Sequence, residues 1–586
     1  VKGIIMDQIN KFYIEGREFE KNKSINDRKA KGVFYTPLEV VDYMVKSTIA
    51  SLDIINNPYV KIVDISCGAG YFLLRYFEAL QGFFKHNFDE IIAANPGLKK
   101  RLSVEGIGSF IVENIIWGAD IDKDAVSMVR ESLNRAAGCN CRSNIICSDS
   151  LLDGLENTEH KEFYQQQYDC VIGNPPYIGH KGVPAEYKSI LYKHYKEVYK
   201  DKADISYCFF KRGMDLLKNK GTLSFITSRY FMEGPSAEKL RSFITAYDVE
   251  ELVDFGDCKV FADAGVSVAI ISMKKQVSLQ DVMVRKIDIS DKSPDTININ
   301  GTRPFYIGKS FLKKEGWILL EPKVLELYNL IEGSSTHELG DIFDSYQGII
   351  TGCDKAFVLN KQQAKELDLE KELLRPWIKN SHVDQFEIKA SDKLLIYSDL
   401  IINPENYPKA IAFAETYKDK LMHRRECLRG VRHWYQLQWG RATKNFESGK
   451  IVYPYKAAKN RFAVDRQGLY CSADVYSLLL KEEFKGIFFL DYITALLNSK
   501  TMEFYFKCIA KKISPTLYDY YPNKVLKIKL NLNEINKVVE ELVKMIGLTQ
   551  KSEERKCILQ AIDREIYKMY NFNESQIAII ENSAGE

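Results

Sequence analysis

KIVDISCGAG, residues 61–70, opens with a short apolar run and breaks into a turn carrying two glycines. The run suits a buried strand, and the turn lets the backbone approach whatever lies beyond the strand end, because glycine has no side chain in the way. The pattern recurs in IIWGADID at 115–122, NIICSDS at 144–150 and DCVIGNPPYIG at 169–179, each closing on acidic, polar or glycine residues. Further strand-like runs lie at 221–227, 249–255 and 266–273, and helical periodicity covers 124–134 and 204–218. Strands alternating with amphipathic helices predict an open, Rossmann-like α/β sheet covered by helices on both faces.

Outward from this region, 586 residues amount to several typical domains. The expected organisation is a helical extension over 1–34, the α/β domain over 35–275, a polar connector over 276–335, a mixed α+β unit over 336–530 and amphipathic helices over 531–586. With 45% hydrophobic and 27% charged residues and a mean hydropathy of −0.26, the chain has enough apolar surface for true cores, which excludes disorder as its main state. No apolar run reaches the ~18 residues a membrane span needs, and the first residues lack the features of a signal peptide. A cytoplasmic protein is expected, with its twelve scattered cysteines read as reduced thiols and no metal site. The net charge of +3 is too small to point to a polyanionic partner unless charge is concentrated locally.

The successive strand ends describe a nucleoside pocket. Asp120, at the end of the second strand, can accept both ribose hydroxyls; Ile121 can pack on an adenine face; Asp149, after the third strand, can meet the adenine amino group. A nicotinamide dinucleotide fits the same geometry. Against it, the glycine loop lacks the G-x-G-x-x-G spacing that lays a helix terminus on a pyrophosphate. Asp64 would repel a diphosphate but can pair with an amino group, which favours S-adenosyl-L-methionine.

The fourth strand runs into Asn174, Pro175, Pro176 and Tyr177. Two prolines stiffen the backbone, so the Asn174 side-chain oxygen and the Pro175 carbonyl can be held toward one point. An exocyclic amine placed there donates two hydrogen bonds and is left with its lone pair directed at an electrophilic methyl. Tyr177 would stack on the base and hold its plane.

With these motifs in order, behind FYTP at 34–37, the chain resembles the N6-adenine DNA methyltransferases of the γ arrangement, of the TaqI and Eco57I types. Within that family the likeness is closer to solitary adenine methyltransferases of the type conserved in Clostridioides difficile. It rests on DISCG, GADID, GNPPYIGHK, VYKDKAD, YQGIITGCDKAF at 346–357, YQLQWGR at 435–441 and YDYYPNK at 518–524. The resemblance implies a methyltransferase domain followed by a DNA target-recognition domain. It implies that Tyr35, Thr36 and Pro37 close over the methionine end of the cofactor, that Asp64 meets its amino group and that Gly68 and Gly70 line its path. It also implies that Phe261 sandwiches a flipped adenine against Tyr177. Cys67 is assigned no role, since amine methylation needs no nucleophilic thiol.

The modest total charge conceals a local one. Between Lys418 and Arg461 twelve Lys or Arg face only Asp419, Glu426 and Glu447, a net +9 in 44 residues. Arg424, Arg425, Arg429, Arg432, Trp439 and Arg441 mix cationic and aromatic surface as nucleic-acid contacts do. Gln347 and the turn leading to Lys355 are further groove candidates, since Gln can read adenine bidentately. Tyr521 and Asn523, in YDYYPN, fit either an exposed surface or a packed corner.

The expected activity is direct methyl transfer from S-adenosyl-L-methionine to N6 of an adenine flipped out of double-stranded DNA. It would leave S-adenosyl-L-homocysteine, need no metal, and be carried out by a monomer without a membrane or obligate protein partner. The rivals are cytosine N4 or protein glutamine as acceptor, a combined restriction enzyme, and a DNA reader without catalysis. About thirty residues ahead of FYTP are too few for a nuclease domain.

Overall fold

The computed structural model describes residues 12–16, 18, 36–155, 160–200, 202–256, 258, 260–261, 266–287, 297–514, 516–549 and 552–585, grouped in two compact units, Val1–Pro322 and Lys323–Glu586. Of the predicted extension 1–34, only 12–16 and 18 are described, and they are helical.

Among the described residues the first unit is built on a nine-stranded sheet: β1 (Ile62–Asp64), β2 (Ile116–Asp120), β3 (Asn144–Cys147), β4 (Tyr168–Gly173), β5 (Leu217–Ser228), β6 (Asp248–Asp254), β7 (Val268–Lys274), β8 (Val282–Lys286) and β9 (Phe305–Ile307). Their order across the sheet is β3-β2-β1-β4-β5-β7-β6-β8-β9. β3, β2, β1, β4 and β5 run parallel, whereas β7 enters antiparallel between β5 and β6. The near-continuous apolar runs follow from this placement, because a strand with helices on both faces buries its side chains in both directions.

Alternate residues of one strand feed two cores. Ile62, Cys170, Ile172 and Ile270 pack on one face with the helices Leu38–Ile49, Tyr71–His86 and Lys123–Ala137. Val63, Val171, Ala269 and Ile271 pack on the other with Ala185–Tyr195, Ser206–Leu216 and Glu238–Ile244. The helix Lys123–Ala137 begins where Asp122 accepts the backbone N–H groups of Asp124 and Ala125, and ends at Gly138, whose φ of 70° closes the last turn.

Of the segment expected as a connector, 276–335, residues 288–296 lie outside the described residues, and the rest contributes to both units. β8 pairs with β6 and β9 with β8 at the edge of the sheet, and the helix Pro322–Ser334 sends Leu327 and Ile331 into the core of the second unit. Edge strands and turns are expected over 290–306, and β9 at Phe305–Ile307 begins there. A second difference concerns the thiols: Cys139 and Cys141 are joined as a disulfide, while the other ten cysteines form none.

In the second unit Phe343–Gln347, Val475–Leu480, Lys450–Pro454 and Ala463–Asp465 form a four-stranded antiparallel sheet in that order. A second sheet joins Val358–Asn360, Lys393–Ile396, Leu374–Ile378 and Tyr470–Cys471. The C-terminal helices are Lys537–Leu548, Ser552–Met569 and Glu574–Gly585. Their Val539, Ile562 and Ile580 share a core with Ile451, Tyr453 and Tyr476 of the first sheet, so 531–586 is continuous with the unit it was expected to follow.

Candidate active site

The strand order of the first unit reverses between β1 and β4, and a crevice opens beyond the carboxyl ends of strands at such a point. Here it is a cavity of about 480 Å³ whose walls include Thr36, Asp64, Gly68, Asp120, Ile121, Asp149, Asn174 and Pro176. The sequence spreads these residues over 140 positions; the parallel register brings them to one edge.

Asp64 is buried at the tip of β1, where its Oδ1 accepts the Ser66 N–H at 2.9 Å. Burial, with the nearby Asp120 charge adding to it, pushes its carboxyl up to about 8 against the opposing Ser66 hydrogen bonds. Gly173 explains how β4 passes so close: a Cβ there would stand 2.5 Å from Asp64 Oδ1. Gly68 and Gly70 adopt φ of 49° and 84°, and a Cβ on Gly70 would strike Val129 at 2.7 Å. Asp120 ties the loop to β2, accepting the Gly68 N–H through Oδ2 at 2.8 Å and the Asp122 N–H through Oδ1 at 2.9 Å. Beside it Ile121 is 71% exposed, an apolar surface open to the cavity.

Asp149 is held from an unforeseen direction. The Tyr187 hydroxyl lies 3.0 and 2.9 Å from its two carboxylate oxygens, and the Leu151 N–H donates to Oδ1 at 3.0 Å. Burial raises the Asp149 carboxyl, and the Tyr187 bond opposes that rise. Tyr187 stands 38 residues from Asp149 on the helix Ala185–Tyr195 and carries no local signal. Gly173 was in plain view, since it directly precedes Asn174.

Asn174 Nδ2 donates to Thr36 Oγ1 at 3.1 Å, and its Oδ1 accepts the Tyr177 hydroxyl at 2.7 Å. That hydroxyl also lies 3.3 Å from the Ile226 carbonyl oxygen. The Asn174 oxygen assigned to an incoming amine is thus already in a hydrogen bond with Tyr177. Pro175 is buried and Pro176 half-buried, so the backbone of this turn is fixed by packing as well as by its rings. Phe261 is brought to Tyr177, with ring centroids 6.2 Å apart and planes inclined at 47°. Thr36 is buried and Pro37 precedes the helix Leu38–Ile49, whereas Tyr35 lies outside the described residues.

The cationic segment of the second unit divides into surface and interior. Arg425 and Arg429 are exposed, as are Lys355, Arg441 and Asn523; Trp439 is 38% and Tyr521 42% exposed. Arg424, expected on the same surface, is buried instead: its guanidinium donates to the carbonyls of Leu421, Thr351, Trp434 and Gln436. Five fixed donors make a guanidinium suited to gathering carbonyls that no sheet satisfies. Arg432 is engaged with Asp399 at 3.0 Å and lies over the Trp439 ring at 5.8 Å. Lys450 is wholly buried, paired with Asp465. Gln347 Oε1 accepts from Arg441 Nη2 at 3.0 Å, and Gln347 Nε2 donates to the Ala473 carbonyl at 3.2 Å. YDYYP is both a packed corner and a surface: Tyr520 is buried against Phe506, while Tyr521 faces out.

Among the described residues no helix is long and apolar enough to cross a membrane, and no group of three or more His, Cys, Asp or Glu could hold a metal ion.

Residues 114–261 match the Eco57I restriction-modification methylase family, and residues 375–528 match the TaqI-like C-terminal specificity domain. The chain is 24% identical over 530 residues to the Type II methyltransferase M.BanIII of Aneurinibacillus aneurinilyticus, across 82% of this chain and 85% of that one. It is 23% identical over 529 residues to the Type II methyltransferase M.BstVI of Geobacillus stearothermophilus, across 85% and 90%. The solved structure of the Type IIL restriction-modification enzyme MmeI in complex with DNA shares its fold, with a TM-score of 0.63 at 13% identity over 97% of this chain and 80% of that one. The chain therefore has a methyltransferase domain followed by a C-terminal specificity domain.

Proposed function

We propose that the protein is a site-specific DNA adenine N6-methyltransferase of the γ arrangement, a solitary modification enzyme without restriction activity. The observation that carries this reading is the turn Asn174–Tyr177, held at the mouth of a carboxylate-lined cavity. The cavity suits S-adenosyl-L-methionine: its three carboxyls, Asp64, Asp120 and Asp149, can meet the polar groups of a ligand bearing an ammonium and a sulfonium, the buried Asp64 giving up its proton as it takes the ammonium, and an exposed Ile121 offers a flat apolar surface for a base. When bound, S-adenosyl-L-methionine supplies an electrophilic methyl group. Asp64 would hold its amino group, Asp120 its ribose, and Ile121 and Asp149 its adenine.

The chain's own part is to present an amine. Thr36 orients the Asn174 amide so that Oδ1 faces the turn, and that oxygen with the Pro175 carbonyl accepts the two hydrogens of a flipped adenine's amino group. Tyr177 and Phe261 would turn parallel to take the base between them. The amine's proton leaves after the nitrogen becomes cationic, so no strong base is required beforehand. Gln347, Lys355, Arg425, Arg429, Arg432, Trp439, Arg441, Tyr521 and Asn523 form the proposed DNA surface; Arg424 is withdrawn from it because it is buried.

The test is transfer from methyl-labelled cofactor to duplex DNA, followed by nucleoside analysis. Label in N6-methyladenine is the expected outcome. N4-methylcytosine would overturn the adenine assignment, label in protein alone the DNA assignment, and Mg²⁺-dependent cleavage of unmodified DNA the absence of restriction.

A further inference from the structure

The second unit exposes two large apolar side chains on one short turn, Leu428 at 72% and Val431 at 60%. Single exposed apolar residues are ordinary, but a pair on one tip asks for an occupant. The short helix Arg425–Leu428 ends at Arg429, and Gly430 turns the chain with φ of 70°, its N–H donating to the Cys427 carbonyl at 2.9 Å. Val431 N–H returns to the Glu426 carbonyl at 2.9 Å. Nothing stands within 4 Å of where a Gly430 Cβ would be, so the tip is clear of its own unit.

The base of the turn is stiff. Arg424 gathers carbonyls from both sides of it, Leu421 before and Trp434 and Gln436 after, and fastens them to Thr351. Glu426 accepts a hydrogen bond from Gln438 Nε2 at 3.0 Å, so the one acidic side chain in the turn points to a protein partner. The exposed cations Arg425 and Arg429 alternate with Leu428 and Val431 along the turn. A rigid apolar tip between arginines complements a polyanion whose interior is apolar, and it needs little ordering to bind.

We propose that the turn Arg425–Arg432 is a wedge that enters duplex DNA, pressing Leu428 and Val431 on a base step while Arg425 and Arg429 hold the adjoining phosphates. The proposal rests on the DNA reading above and deepens it, since a wedge at a step loosens base stacking, and a base must unstack before it can leave the helix.

The experiment uses the full chain and a relaxed closed circular plasmid treated with topoisomerase I, so that unwinding is trapped as a change in linking number. The wild-type protein should unwind the plasmid in proportion to the amount bound. Leu428→Ser/Val431→Ser should keep the wild-type melting temperature, bind about tenfold more weakly with the same salt dependence, and leave the linking number unchanged at equal occupancy. Equal unwinding by the double variant would overturn the wedge, as would wild-type binding without unwinding; both leave the DNA reading standing. Absence of any plasmid binding by the wild type would overturn both. Unaltered DNA behaviour with lost self-association in gel filtration would make the tip a protein contact and overturn the wedge.

Discussion

The two units handle charge in opposite ways. In the first, Asp64 and Asp149 are drawn into a cavity at strand ends, where desolvation raises their pKa values and each is held by named donors. In the second, Arg425, Arg429 and Arg441 stand in solvent, while Arg424, which gathers the carbonyls of the turn beside Arg425, and Lys450, which pairs with Asp465, belong to the same cationic segment but lie inside. A sheet places chemistry through register, which is common to every residue along a strand. Turns have no such register, so each must be fixed by side chains that reach for orphaned carbonyls. A cationic residue is therefore ambiguous in the second unit, whereas an acidic strand end is much less so in the first.

The largest effect expected from this contrast is at the rigid turn. Asn174→Ala should lower methyl transfer by about 10³-fold while leaving duplex binding within about twofold of wild type, measured by label incorporation and by fluorescence anisotropy. Equal losses in both would mean that the first unit also carries recognition. Next in size, Lys450→Met leaves the Asp465 carboxylate buried without its partner and should destabilise the second unit by about 3–5 kcal/mol in urea unfolding. A change near zero would return Lys450 to the surface class.

Asp64→Asn probes the first unit's buried charge. It should weaken cofactor binding by about tenfold or more in calorimetry. It should also alter the pH dependence of stability. The wild-type carboxyl ordinarily titrates at 3.8 and here at about 8, so between those values the folded protein keeps a proton that the unfolded chain has released, and stability falls as pH rises. The Asn variant lacks that titration, and its advantage in melting temperature over wild type should grow up to about pH 8 and then level off. A constant offset at all pH values would show that Asp64 is not the titrating group. The smallest effect is at the surface: Arg429→Gln should reduce the slope of log affinity against log salt by about 1, with melting temperature unchanged. A drop in melting temperature would place Arg429 with Arg424.

Much of the first unit was legible in advance because its signals are local. IVD, IWGAD, NIIC and YDCVIG read as strands from their apolar runs, and the acidic or glycine residue that closes each one is adjacent in sequence. What escaped was set by distance. Tyr187 reaches Asp149 across 38 residues, and β7 reverses direction between β5 and β6 although VAIISMK looks like any other apolar strand. β8 and β9 read with the connector because both are short, and β9, at the edge of the sheet, is paired on one side only.

By itself, then, the amino-acid order determined the parallel α/β domain, the residues at its strand ends and the cationic segment far downstream. Periodicity, glycine and proline act through the backbone nearest to them, and they act the same way wherever the chain goes. Only the tertiary structure decided that Arg424 is a staple while Arg425 is exposed, that Asn174 Oδ1 is bonded to Tyr177, and that Leu428 and Val431 are both exposed on one turn. Burial and hydrogen-bond partnership depend on which distant backbone groups arrive alongside, and no spacing along the chain records that.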